Sequence, residues 1–416
     1  MYKSLKECQE NSYWTFRKMD GIVEAMGGYS MTLLLAIIYM AFISLGLPDA
    51  MLGSAWPRMH GELGAPVAYA GIISMIISIG TVISSLLSDR LTRRWGTGLV
   101  TACSVGLTAA ALVGFSAAPS FGVLCVLAVP YGLGAGAVDA ALNNYAALYF
   151  KASHMSWLHC CWGIGASIGP YIMGLCLTGG LSWNSGYRMV GALQAVLTAV
   201  LFSTLFLWKE RNLEEGKHLQ SGRCLTAKQL LGIPGVKAQM ATFFCYCALE
   251  QTAGLWASSY LVMYRGLSEE TAAKWASLFY LGITAGRFLS GFLAMKLNDR
   301  QMVRLGEAAG TVGVLMVLLP LGTRAASAGL IIIGLGCAPV YPSLMHGTPR
   351  NFGWDLSQAI VGLQMAFAYL GNTLAPPIFG FLAQSAGIVW YPVYLFAILA
   401  AMTVSSERLN RMTANS

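Results

Sequence analysis

Apolar positions along the chain gather into runs of roughly twenty residues, the length at which an α-helix crosses a bilayer core. Twelve such runs fall at about 31–56, 66–88, 98–117, 121–149, 156–179, 187–208, 238–264, 271–296, 302–321, 325–346, 357–383 and 387–405. The pattern predicts an all-α membrane protein with twelve transmembrane helices. The longest polar stretch, roughly 209–237, parts six runs from six and reads as a cytoplasmic linker between an N-terminal half at 31–208 and a C-terminal half at 238–405. Residues 1–30 and 406–416 are expected to be cytoplasmic end segments. In the first of these, Tyr13, Trp14 and Phe16 alternate with charges, which suits an interfacial helix or a solvated tail, and no apolar core with a small-residue cleavage site suggests a signal peptide.

The two halves repeat weakly at an offset of about 206 residues. Gly80 aligns with Gly286, Ser85 with Gly291 and Arg90 with Lys296; further on, Gly165 aligns with Gly371 and Pro170 with Pro376. Two pseudo-symmetric six-helix halves around a central cavity are what alternating access by rocking requires.

Composition agrees with this pattern. Of the 416 residues 56% are hydrophobic and only 11% charged, against roughly 25% charged in soluble domains. The net charge of +8 does not point to nucleic acid, because the basic residues sit in alternate loops. With the N-terminus in the cytoplasm, about twenty of the 26 lysines and arginines fall on the cytoplasmic side, so the positive-inside rule places both termini there, in an inner or plasma membrane. The ten cysteines form no CxxC pair, and Cys103, Cys125, Cys176 and Cys337 lie inside apolar runs as small hydrophobes. Neither a metal site nor a cofactor is expected.

Against this background Asp139 stands out, in the middle of the fourth run. A carboxylate at the centre of a bilayer-spanning helix costs about 3 kcal/mol by insertion scales unless it meets a cavity or a partner. Asp139 is therefore expected to line a polar cavity between the halves. Asp49 in the first run has Pro48, Gly46 and Gly53 for neighbours, a grouping that predicts a local break in the helix.

The loop after the second run, with Ser85, Asp89, Arg90, Arg93 and Arg94, resembles the GxxxDRxGRR signature of the major facilitator superfamily, departing from it at Ser85 and Thr92. The resemblance covers essentially the whole chain and implies the major facilitator fold, with a gating role for Asp89, Arg90, Arg93 and Arg94. Within that superfamily the chain is most similar to the fucose:proton symporter family of sugar transporters. The similarity is carried by Val138 to Tyr145 in the fourth run, Leu158 to Pro170 in the fifth, Ala338 to Ser343 in the tenth and Gly362 to Asn372 in the eleventh. In that family an acid of the first span and one of the fourth take part in proton coupling, which makes Asp49 and Asp139 the candidates here. A monomer is the expected state.

Other candidates follow from position. Asn143 lies one helical turn after Asp139, on the same face. His159 opens the fifth run and is a candidate proton relay, since imidazole titrates near about pH 6.5. A sugar site needs amide and carboxyl groups for hydroxyls and aromatic faces for the ring. Glu250, Gln251, Trp256 and Tyr260 of the seventh run, Tyr341 of the tenth, and Gln364, Tyr369 and Asn372 of the eleventh are therefore expected, with Asn143, to bind substrate. Arg287 in the eighth run needs a partner; a structural or gating pair in the cytoplasmic half is expected ahead of a clamp for an anionic ligand, with Glu307 in the same network. Gly165 and Gly169 before Pro170 resemble an antiporter signature of the superfamily, though their spacing also suits close helix packing.

These readings converge on a secondary active transporter moving a small polar solute, most readily a monosaccharide, in symport with protons. Proton-driven efflux of a sugar or amphipathic drug is the alternative within transport, and a non-transporting receptor or sensor is the alternative of another class. No nucleophile, His-Asp pair or phosphate loop points to an enzyme.

Overall fold

The computed structural model describes residues 31–49, 51–66, 69–208, 225–267 and 269–413. The expected end segment 1–30 and the 209–224 part of the linker lie outside the described residues. The first six spans are α1 (31–46) continued by α2 (Met51–Glu62), then α3 (Ala70–Trp95), α4 (Thr97–Phe115), α5 (Phe121–Tyr149), α6 (Ala152–Thr178) and α7 (Trp183–Ser203). The second six are α8 (Val236–Met263), α9 (Glu269–Leu293), α10 (Asp299–Leu318), α11 (Thr323–Cys337) continued by α12 (Val340–His346), α13 (Trp354–Ala386) and α14 (Tyr391–Met412).

Ten of these spans are long and apolar enough to cross a membrane by composition alone, and Leu278–Leu293 of α9 is a shorter apolar stretch; α8 is not among them. For α8 the reason is chemical, since it carries Gln239, Thr242, Glu250 and Gln251. Helices that supply polar groups to an interior site lose the hydropathy that identifies a span.

Boundaries follow local signals. The turn between α3 and α4 runs through Gly96 at φ 78°, a left-handed conformation that favours glycine. At the start of α10, Asn298 and Gln301 form a capping box, the Asn298 side chain accepting from the Gln301 amide at 3.0 Å. The last helix continues to Met412, beyond the end of the apolar run at about 405. Ser406 and Leu409 are buried, and this packing extends the helix past the hydrophobic stretch. From residue 225 the linker is seated on the second half, where Leu230 of a one-turn helix, Ala227–Leu230, packs with Val236, Met240, Ile360 and Leu363.

The break in the first span has a visible cause. Pro48 lacks an N–H, which leaves the Ser44 carbonyl without its helical partner. Gln194 of α7 donates to that carbonyl at 2.8 Å and accepts from Thr108 of α4 at 2.9 Å. The chain turns at Leu47–Asp49 and resumes as α2, leaving Asp49 at the break.

The repeat reappears as paired contacts. Within the first half α5 packs on α3 and α4, and α7 on α4; in the second, α11 packs on α9 and α10, and α14 on α10. A Cβ on Gly165 of α6 would overlap the Ile43 carbonyl of α1, and one on Gly371 of α13 would overlap the Phe244 carbonyl of α8. Each glycine thus lets its helix lie against the first helix of its own half. Gly169 abuts the Leu47 carbonyl in the same way, so the glycines preceding Pro170 have a packing role. Between halves, α3 meets α13 and α9 meets α6, again related by the repeat, while α12 leans on α5 and α6.

Candidate functional site

Where α5, α6, α8, α9 and α12 face one another, polar side chains form a connected chain across the two halves. Asn143 is fully buried and donates to Asp139 Oδ1 at 2.7 Å, while its Oδ1 lies 3.1 Å from His159 Nε2. The His159 ring meets the Tyr341 ring edge to face at 4.6 Å, which carries the chain into the second half. Tyr341 is flanked by Phe243 and Tyr246, with ring centroids at 5.1 and 5.8 Å, and its hydroxyl donates to Met365 Sδ at 3.2 Å. Tyr246 donates in turn to Glu250, one helical turn further along α8. Glu250 pairs with Arg287 of α9 at 3.6 Å. The guanidinium lies over the Trp162 ring at 5.2 Å, back in the first half, and Trp162 Nε1 donates to Asp49 Oδ2 at 2.9 Å. The Tyr131 hydroxyl also reaches Asp49, and Tyr369 stands within electrostatic range of both Asp49 and Asp139.

Asp49 is exposed although it sits at the break of a membrane-spanning helix, and Asp139 is partly exposed. Both therefore border an open cleft, which resolves the cost of placing carboxyls inside a bilayer. Gln251 is exposed and Tyr369 and Asn372 partly so.

The structure distributes the expected site residues unevenly. It brings together Asp49, Asp139, Asn143, His159, Glu250 and Tyr341. Trp256 is committed elsewhere: its Nε1 donates to the Pro376 carbonyl at 3.1 Å and its ring packs on Phe379 at 5.4 Å. Tyr260 does not join the cluster, because its hydroxyl donates to the Val317 carbonyl at 3.2 Å while its ring stacks on Tyr264 and packs against Tyr391. Gln364 is fully buried and accepts from Thr348 at 3.1 Å, inside the second half. Arg287 of the eighth span has a carboxylate partner, Glu250, at the site, and Glu307 is not part of its surroundings. The Glu307 carboxyl accepts from Ser406 at 2.6 Å, which ties α10 to α14.

Three contributors stand outside the sequence-based set. Trp162 lies one turn from His159, Tyr246 one turn from Glu250, and Tyr131 two turns from Asp139. Helical spacing from a candidate polar residue was the available signal for each.

A second cluster joins the halves at the end bearing Asp89. Arg93 pairs with Asp89 at 2.9 Å and donates to the Asp355 carbonyl of α13 at 2.9 Å. Gln358 donates to Ser88 at 3.0 Å, and Ser357 to Asn144 Oδ1 at 2.5 Å. His346 of α12 lies 3.0 Å from Asp299 and 3.2 Å from the Phe150 carbonyl of the first half. Arg90 and Arg94 are exposed, Arg94 lying over the Trp95 ring at 5.8 Å. These bonds join the two halves at that end of the bundle.

Known proteins share this architecture. A cis,cis-muconate transport protein of Acinetobacter baylyi is 22% identical over 388 residues, 87% of this chain and 90% of its own. An uncharacterised MFS-type transporter of Yersinia pestis is 23% identical over 357 residues, 84% and 88% of the two chains. Among solved structures, a proton:xylose symporter superposes with a TM-score of 0.74 at 13% identity, over 92% of this chain and 95% of that one. The fucose:proton symporter of E. coli superposes at 0.68 with 15% identity, over 90% and 98%. At such identities the solved structures speak to the fold. The sequence profile of the Major Facilitator Superfamily matches residues 38–363. Running from the first span into the eleventh, that match shows that the chain belongs to the Major Facilitator Superfamily of membrane transporters.

Proposed function

We propose that the protein carries a monosaccharide across the cell membrane in symport with protons, by alternating access of one site between its two halves. The coarser statement, a transporter of the sugar or organic-acid type, follows from its family and neighbours. The symport reading is carried by one observation: two carboxyls inside the membrane-spanning region, Asp49 and Asp139, border the same cleft and sit at the two ends of one chain of contacts. Protons loaded on these acids and solute held between the halves are then linked through shared partners. Asn143 and His159 form the relay beside Asp139. Tyr369, Asn372 and Gln251 supply hydroxyl and amide groups toward the cleft, and Tyr341 an aromatic wall. The Asp89 end is assigned to the cytoplasm, with both termini, because the basic loops gather there. On this assignment the described conformation faces outward.

Reconstitution tests the reading. Counterflow of labelled monosaccharides at two pH values, followed by uptake under an imposed pH gradient, should show solute accumulation driven by inward proton flow. Counterflow without any response to the gradient would sink the symport assignment, and gradient-driven extrusion would replace it with antiport.

A further inference from the structure

Arg287 has Glu250 and the Tyr246 hydroxyl beside its guanidinium, but these leave it incompletely paired. The residue is 5% exposed, yet its Nε has no hydrogen-bond partner. Its pairing with Glu250 is long, 3.6 Å from Nη2, where a good charge-assisted N–H···O bond measures about 2.7–2.9 Å. Elsewhere in the protein arginines do better. Arg304 grips Glu407 through two bonds of 2.6 and 2.8 Å, and Arg93 meets Asp89 at 2.9 Å. A buried guanidinium N–H left unpaired is costly, so a position of this kind calls for an acceptor that arrives from outside.

The surroundings say what that acceptor is. Trp162 covers the face of the guanidinium, and the buried, unpaired Nε beside Nη has the fork geometry that suits planar, two-point recognition of a carboxylate. Glu250 is drawn to the Tyr246 hydroxyl as well as to Arg287, and its side chain is 20% exposed. Across the cleft stand Asp49 and Asp139, which would repel an anion while charged. Once each has taken up a proton, that repulsion is gone.

We infer that the transported solute is a sugar acid, an aldonate or uronate, whose carboxylate docks on the Nε–Nη edge of Arg287 while its hydroxyls meet the polar groups facing the cleft. This rests on the monosaccharide symport reading and narrows it. Proton loading of Asp49 and Asp139 precedes anion docking, since it removes the negative charges that face the incoming carboxylate. Glu250 keeps its bond from Tyr246 when the substrate takes the guanidinium edge. Entry of one anion with one proton is electroneutral, and with two protons carries net positive charge inward.

The test is counterflow in proteoliposomes holding the full-length protein, with labelled D-glucuronate and D-gluconate against D-glucose, D-galactose and L-fucose. The acids should exchange at least about tenfold faster than the neutral sugars, as expected for a two-point charged contact. Arg287→Gln should remove the preference for acids, and Arg287→Lys, which keeps the charge without the fork, should weaken it. Should these variants fold poorly, wild-type protein still decides: unlabelled D-glucuronate should raise its melting temperature and compete with labelled solute, and D-glucose should do neither. Neutral sugars exchanging as fast as the acids, or faster, would overturn the inference and leave monosaccharide transport standing. Exchange of neither class by folded protein would overturn both.

Discussion

His159 Nε2 lies 3.1 Å from Asn143 Oδ1, and the direction of this bond is fixed by its other neighbour. An ionised Asp139 only accepts, so the Asn143 amide nitrogen faces it, the amide oxygen faces His159, and the imidazole donates through Nε2. The same amide nitrogen also donates to the Asp139 backbone carbonyl at 3.0 Å, and a protonated carboxyl still accepts through its carbonyl oxygen, so the amide keeps its orientation when Asp139 takes up a proton. We expect His159 to keep its hydrogen on Nε2 at both high and low pH, read from 15N shifts of selectively labelled protein. A tautomer that changes with pH would show that the Asn143 amide turns over.

Asp139→Asn keeps the shape of the side chain and removes the exchangeable proton. Counterflow of solute should survive within a few fold, while accumulation driven by an imposed pH gradient should vanish. Asp49→Asn should give the same separation of exchange from accumulation if both acids carry protons. A variant that still concentrates solute in proportion to the gradient would exclude its acid from coupling.

At the Asp89 end, Ser357 and Gln358 each make one hydrogen bond from α13 to a side chain of the first half. A typical bond of this kind stabilises by about 0.5–1.5 kcal/mol. The double variant Ser357→Ala, Gln358→Leu should shift the conformational equilibrium toward opening at that end by roughly 5- to 150-fold. Distance distributions between spin labels on the ends of α5 and α13 would report the shift, and an unchanged distribution would mean that these bonds do not hold the closure.

Gly165→Ala and Gly371→Ala place a methyl group against the Ile43 and Phe244 carbonyls respectively. Overpacking of this type costs about 1–3 kcal/mol. Both variants should lower the midpoint of thermal unfolding, by similar amounts because the two contacts are related by the repeat. Gly174→Ala, at a position where an added Cβ meets nothing within 4 Å, serves as the control.

Much of this arrangement was legible before any coordinates. The spacing of Asp139 and Asn143 put both on one helix face, Pro48 announced the break at Asp49, and the alignment of Gly165 with Gly371 anticipated two equivalent backbone contacts. Rotation of each helix about its own axis was not legible. Tyr260 and Trp256 occupy the same helix as Glu250, but only tertiary packing decides that they turn into their own half while Tyr246 turns toward Tyr341. The same limit separated Arg287 from Glu307: both are charges in apolar runs, and a sequence carries no direct measure of which neighbouring helix each one faces. The low hydropathy of α8 was itself a marker, because a helix that serves the site dilutes its apolar character.

The closure at the Asp89 end also has a geometric corollary. If each half moves as a rigid lever pivoting near mid-membrane, its end lies about 15 Å from the fulcrum, half of a hydrocarbon core of about 30 Å. A rotation of roughly 10° displaces that end by about 2.6 Å, close to the length of a hydrogen bond. The links from Arg93, Ser357, Gln358 and His346 are therefore all lost within the same small arc, which makes the passage between states abrupt and leaves little room for a half-open pore that would leak protons.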